Sequence, residues 1–434
     1  MIRATRTQWI KFAVVLALYL IFLVWLRSWL GLVVVPFIFD AYITKKIPWT
    51  WWRESKNRHV VTVMGWVDAI VFALVAVYFV NLYFFQNYVI PSSSLEKSLL
   101  TGDYLFVSKM SYGPRVPQTP LHMPLAQHTL PFFNCKSYLE HPQWDYKRVK
   151  GLGDVQLNDI VVFNFPAGDT VATGVPNDDI YRLSYGAGKE LAKPVDLASM
   201  TPEQQRVVYD YYYQLGREYL KENPQNFGEI ISRPVDRREN YVKRCVGLPG
   251  QTLEIKDRII YLDGKANKEP DNVQYRYLVK TKRPIPDDLA HELGISKEDM
   301  MMYYTDASVY NMPLTEKAKA GLLARKDIVV SIENTPADDA GGLYPLNMYK
   351  NWTTDNYGPV WIPKKGETVK LTIENLPVYE RPIHVYEGNE LAVKDGKIYI
   401  NGKETDEYTF KMDYYLYLIH ISEPTRLLSL SYAV

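Results

Sequence analysis

Two short stretches of this chain hold side chains that could do covalent chemistry together. One is Ile90-Pro-Ser-Ser-Ser-Leu-Glu-Lys-Ser-Leu-Leu, residues 90–100, with three consecutive serines. The other is Glu239-Asn-Tyr-Val-Lys-Arg-Cys-Val-Gly-Leu-Pro-Gly, residues 239–250, in which Lys243 sits on apolar, strand-like sequence. A serine hydroxyl becomes an effective nucleophile when a neighbouring base takes its proton. A lysine can be that base only when neutral. Its ordinary pKa is near 10.4, so burial among apolar side chains must bring it well down. Tyr241, Val242 and Val246 around Lys243 fit that need. Taken singly, each stretch also has a plain reading: a solvated serine-rich linker, and a strand lysine facing water beside Arg244. The seven histidines show no triad-like motif. Cys135 and Cys245 form no CxxC or Cys/His cluster, so no metal or cofactor is expected. The cysteines read as two small buried thiols, with one disulfide as the alternative in an oxidising compartment.

The elements that would position these residues begin with an apolar N-terminal region. Phe12–Leu26 carries no charge, Arg27 interrupts, and Ser28–Phe39 continues the run. A spanning helix needs about 20 apolar residues, so the two pieces are expected to make one span if Arg27 snorkels to an interface. Ala69–Leu95 is a second uncharged stretch, of which Ala69–Tyr88 fills a span. Lys45, Lys46, Arg53, Lys56 and Arg58 lie between the spans, and Arg3, Arg6 and Lys11 precede the first. The positive-inside rule places the richer central loop in the cytoplasm and both ends of the hairpin outside. A cleaved signal peptide is the competing reading, but no small-x-small site follows the first run.

Beyond residue 90 the chain turns strand-like. Tyr104–Ser108, Asp159–Phe165, Thr252–Ile255 and Lys397–Gly402 read as short strands, with Asp263-Gly264 and Asn401-Gly402 as hairpin turns. Residues 201–222 look helical, from a Thr N-cap with Pro following. Residues 273–345 read as a small β-α-β-α-β insertion. The expected organisation is a membrane anchor over 1–90 with two transmembrane helices and a cytoplasmic basic loop. A catalytic β domain over 91–272 follows, interrupted at about 167–233. An α/β insertion over 273–345 and a return to the β domain over 346–415 complete it. The 50 Lys+Arg against 49 Asp+Glu give a net charge of +1, which argues against a nucleic-acid partner.

The sequence resembles the bacterial type I signal peptidases. The resemblance rests on Pro91-Ser92-Ser93-Ser94-Leu95 followed by Leu100-Thr-Gly-Asp-Tyr. It rests also on Asn158–Phe163 with Pro166 following, and on Tyr241–Gly250, all after a hairpin anchor. It covers roughly residues 60–166, 234–265 and 385–415. It implies that Ser94 is the nucleophile, Lys243 its general base, and the Ser94 N–H with the Ser92 hydroxyl the oxyanion hole. It implies no cofactor. The implied substrates are exported preproteins, bound extended against a sheet edge and cut near small residues. It further implies a bacterial inner-membrane location, multi-pass, with the catalytic domain extracytoplasmic and the secretion translocon as a further partner. Ser93 stands where the family often has Gly, and Leu95 replaces the commoner Met.

One family box, G-D-N-R-x-N-S-x-D-S-R, is absent after the Met412-Asp-Tyr-Tyr segment. Leu418–Arg426 and Ser431–Val434 resemble the translation of a transposon-type sequencing adapter. Residues 416–434 are therefore expected not to be native. Two other functions compete. A catalytically inactive, truncated relative that binds exported chains would lack the dyad, and Ser94 and Lys243 are both present. A self-cleaving repressor would need an N-terminal DNA-binding helix-turn-helix where this chain has apolar spans.

Overall fold

The computed structural model describes the chain except for residues 1–3, 91–94, 96, 131, 134, 165–169, 177, 303, 307, 337–342, 347–351, 419–428 and 433–434. It divides into two compact units, Met1–Tyr88 with Phe106–Asp154, and Val89–Leu105 with Val155–Val434.

In the first unit two helices are long and apolar enough to cross a membrane, α1 (Arg6–Leu26) and α2 (Arg58–Tyr83). Thr5 and Gln8 close a capping box at the start of α1. At its other end Arg27 takes a left-handed conformation, φ 50°, as the C-cap. That turn corrects the expectation of a joint 12–39 span. Arg27 does not ride within a helix but stops it, and the chain reverses. The following apolar segment, Leu30–Thr44, returns along α1. The Tyr19 hydroxyl donates to Gly31 O at 2.7 Å, and Phe12 packs on Phe39 with ring centroids 5.4 Å apart. Asp40 closes the segment by accepting from the Lys46 and Ile47 amides and from Trp49 Nε1. By contrast, α1 and α2 meet at their C-terminal ends. Phe22 packs on both Phe79 and Tyr83, and Trp25 on Tyr83. The two long helices therefore meet at the same ends, their C-termini, and the Leu30–Thr44 segment is what reverses the chain between them. The second helix also ends earlier than the apolar run, at Tyr83, because Phe85–Val89 pairs as a strand with Tyr104–Ser108.

The second unit is mainly strand. One four-stranded sheet contains β1 (Ile160–Asn164), β2 (Asn240–Gly247) and β3 (Tyr414–Leu418), in the order Ser429–Tyr432, β3, β2, β1. A second sheet pairs Thr252–Lys256 with Ile259–Leu262 and Tyr357–Trp361. Val246, Leu253, Ile362, Leu376, Tyr414 and Leu416 fill the core between them. Asp263-Gly264 and Asn401-Gly402 each form the expected two-residue hairpin loop, with positive φ at both positions.

Within residues 273–345 a four-stranded antiparallel sheet, led by Gln274–Thr281 and Val309–Thr315, carries the helix Glu316–Ala324. Its core, Tyr277, Val279, Met312, Leu314, Leu322 and Ile328, is separate from the main one. After the helix Lys297–Met302, the short strand Tyr304–Asp306 pairs with Val309–Thr315 in this sheet. Residues 201–222 contain the helix Pro202–Glu222 with a Thr201 capping box. It packs on a second helix, Ile180–Leu191, through Tyr181 and Tyr213.

Candidate active site

Lys243 lies in the middle of β2, directly opposite Val161 of β1. Cross-strand partners share a sheet face, so Lys243 stands among Val161, Phe163, Tyr241, Cys245 and Tyr417. Phe163 and Tyr417 close this face, with ring centroids 4.2 Å apart. The lysine is 6 % exposed, and its Nζ lies 5.7 Å from the Tyr241 ring centroid. The plain reading of a water-facing strand lysine is thereby excluded. Burial in such surroundings disfavours the charged form of an amine. It also pushes the Cys245 thiol up to about 11.

The strand is held by turns that its sequence requires. Asn158 adopts φ 69°, which asparagine tolerates better than most residues, and its N–H donates to Cys245 O at 2.8 Å. The Cys245 N–H donates to Asp159 O at the same distance. Gly250 turns the chain at φ 85°, and its N–H donates to Ile362 O.

Ser92 and Ser94, the expected oxyanion donor and nucleophile, lie outside the described residues. The loop that carries them is described on both sides. Ile90 N–H donates to Asp103 O and Gly102 N–H to Ile90 O, closing its base. Leu95 is buried, and its carbonyl accepts from the Ser98 and Leu99 amides. This limb is tied to β2 by Arg244. Its Nη2 donates to Ser98 Oγ and its Nη1 to Asn158 O, both at 2.8 Å. Arg244 is itself buried, and burial lowers its pKa. A second tie comes from residues 272–299. Asn272 Nδ2 donates to Lys97 O at 2.9 Å, and the Lys97 ammonium lies 3.9 Å from Asp299 Oδ2. Lys97 sits at φ 68°.

Arg244, Asn272 and Asp299 were not singled out by sequence reasoning. Arg244 had a signal, its place next to Lys243 in the same box. Asn272 and Asp299 had none. Both cysteines are free: Cys245 is buried as read, whereas Cys135 is exposed, contrary to the expectation of two buried thiols. No group of three or more potential metal ligands occurs among the described residues.

A family model described as "Signal peptidase, peptidase S26" matches residues 63–303, more than half of the chain. The chain is 20 % identical over 279 residues to "Signal peptidase I P" of Bacillus subtilis subsp. natto, covering 64 % of this chain and 90 % of that protein. It is 42 % identical over 56 residues to a "Signal peptidase I" of Helicobacter pylori, covering 13 % of this chain and 18 % of that protein. A Rickettsia prowazekii "Signal peptidase I" is 24 % identical over 165 residues, 35 % of this chain and 56 % of that protein. No solved structure matches.

Proposed function

Because the chain belongs to the signal peptidase S26 family, we propose that it is a membrane-anchored serine endopeptidase that removes signal peptides from exported preproteins. In this reading Ser94 Oγ attacks the scissile carbonyl, and Lys243 Nζ takes its proton and returns it to the leaving amine. The Ser94 N–H and the Ser92 hydroxyl stabilise the oxyanion, an arrangement worth about 3 kcal/mol per donor in other proteases. The observation that carries the reading is the burial of Lys243 on an apolar strand face. That strand is tied by Arg244 to the loop bearing the serines. A buried lysine is the base such a mechanism needs, since an ammonium in water has no lone pair to give. The strand β1 beside it is, among the described residues, the edge of its sheet. Such an edge suits a substrate bound as an added strand.

The anchor fits a bacterial inner membrane with the peptidase unit outside. With the C-terminal ends of α1 and α2 together and both helices spanning, the N-terminus falls on the same side as the 45–58 loop, in place of the outward position read from sequence. Arg6 and Lys11 then join Lys45, Lys46, Arg53, Lys56 and Arg58 on the cytoplasmic side, which satisfies the charge rule without a contest between segments. The secretion translocon is a further partner in this reading.

The test is cleavage of a purified preprotein by the full chain in lipid vesicles. Ser94→Ala and Lys243→Met should each reduce kcat by on the order of 10⁴-fold or more, with membrane insertion unchanged. Wild-type rates from either variant would defeat the assignment.

A further inference from the structure

The charge-free part of each long helix is shorter than a bilayer. Leu26 and Tyr83, the last residues of α1 and α2, pack together with Val149. Counted back from those ends, Phe12–Leu26 and Ala69–Tyr83 carry no charge, 15 residues in each helix, and Lys11 and Asp68 come next. At about 1.5 Å per residue this is roughly 22 Å, against a hydrocarbon core of about 30 Å. Asp68 has a short side chain, and it pairs with Arg53 at 3.7 Å. Local thinning of the bilayer is one remedy for such a deficit. Apolar surface supplied beside the helix ends is another.

Such surface is present in the same unit. Residues 118–144 leave and return at one place, where Trp144 N–H donates to Gln118 O at 2.8 Å. Pro117–Cys135 contains no Asp, Glu, Lys or Arg. Its first part lies against α2: Tyr78 Oη donates to Pro120 O at 2.8 Å, and the Tyr78 ring packs on His122 with centroids 4.8 Å apart. Tyr78 precedes the end of α2 by more than a turn, and helical side chains lean toward the N-terminus. The contact therefore lies on the apolar side of the helix end. The segment is an irregular hairpin, in which Met123 N–H donates to Ser137 O, Leu139 N–H to Leu121 O and Leu130 N–H to Cys135 O. These bonds satisfy backbone groups that hydrocarbon could not. Yet Leu121, Met123, Leu125, Phe132, Phe133 and Leu139 are exposed, Phe132 completely. Single exposed apolar residues are ordinary, but a group of them on one uncharged hairpin marks an interaction surface. The first charges beyond the tip, Lys136 and Glu140, pair with each other.

We propose that residues 117–139 form an interfacial loop that rests in the leaflet where α1 and α2 end, with its exposed Leu, Met and Phe side chains among the upper acyl chains. Lipid is the occupant because the loop adjoins the flank of α2, where Phe79, next to Tyr78, is itself exposed. The loop thus continues the apolar surface of the anchor beyond its short helices. The inference rests on the membrane-spanning reading of α1 and α2 and not on the serine–lysine pair.

Cys135 supplies the probe, since it is exposed whereas Cys245 is buried. The full chain is labelled there with an environment-sensitive fluorophore and reconstituted in phosphatidylcholine vesicles. Lipids brominated near the top of the acyl chain should quench the label, and aqueous iodide should not. Phe132→Ser combined with Phe133→Ser should cut the lipid quenching roughly threefold and open the label to iodide. Both side chains are exposed, so the melting temperature in detergent should stay the same. Wild type and variant should float with the vesicles alike, held by the helices. Failure of the wild type to float would overturn the spanning reading and the loop with it. Iodide access in the wild type, or lipid quenching unchanged in the double variant, would overturn the loop alone. So would protection that appears only at high protein-to-lipid ratio or with a preprotein present, which would assign the surface to a second copy or to substrate.

Discussion

At the scale of single residues, one amine and one thiol are kept out of water. Lys243 and Cys245 share a face of β2, and burial there makes the thiol inert. With its pKa pushed up to about 11, Cys245 is neutral near pH 7 and unreactive, since the thiolate is the nucleophile. A thiol reagent should therefore titrate one cysteine, the exposed Cys135, in the folded chain and two after unfolding. The sign of the linkage follows. A thiol whose folded pKa lies above its ordinary value of 9.0 binds more proton folded than unfolded. Its contribution to stability is complete below pH 9 and is lost as pH rises from about 9 to about 11. Cys245→Ala should remove that part of the alkaline decline in melting temperature, apart from a general loss from the small cavity. Lys243 was legible at this scale because it sits in a run of apolar neighbours. Arg258 was not. It takes φ 73° in a two-residue hairpin loop with no glycine, and is held there by bonds to Asp355, Arg276 O and Thr335 O, all distant in sequence.

At the scale of elements, the loop carrying the serines is steadied from two sides, by Arg244 of β2 and by Asn272 and Asp299 of the segment that follows. The Lys97–Asp299 pair is largely buried, so removing one partner leaves the other charge unpaired. Asp299→Ala should lower kcat roughly tenfold, about 1.4 kcal/mol, with little change in KM. An unaltered kcat would show that this tie does not set the loop. The anchor offers a second test at this scale. Reporter fusions at residue 4 and at residue 48 should both read cytoplasmic, and a fusion at residue 86 should read external. An external signal at residue 4 would restore the antiparallel hairpin. The hairpin was the natural reading of hydropathy, since Phe12–Phe39 is nearly continuous. The reversal at Arg27 depends on a single left-handed residue and on aromatic contacts between segments, neither of which a hydropathy pattern encodes.

For the whole molecule, each compact unit draws on two separated parts of the chain. Val116 and Val149 take their apolar partners from Leu26 and Tyr83. Deleting residues 1–84 should thus strip cover from 106–154 and leave the main core of the other unit whole. Limited proteolysis of that deletion should cut first within 106–154, at sites protected in the full chain. Cleavage spread evenly over both units would contradict this.

The sequence by itself was enough for the family, the apolar anchor, the hairpin turns and the candidate pair Ser94 and Lys243. These depend on local patterns: residue type at fixed spacing, glycine where φ is positive, apolar runs of membrane length. Tertiary structure alone decided the direction of the helices, the burial of Arg244 beside the lysine, and the ties from Asn272 and Asp299 to the serine loop. It also set Pro120 and His122 against Tyr78 of α2. Each of these arises from segments tens of residues or more apart, whose approach is set by packing and hydrogen bonds rather than by neighbours along the chain.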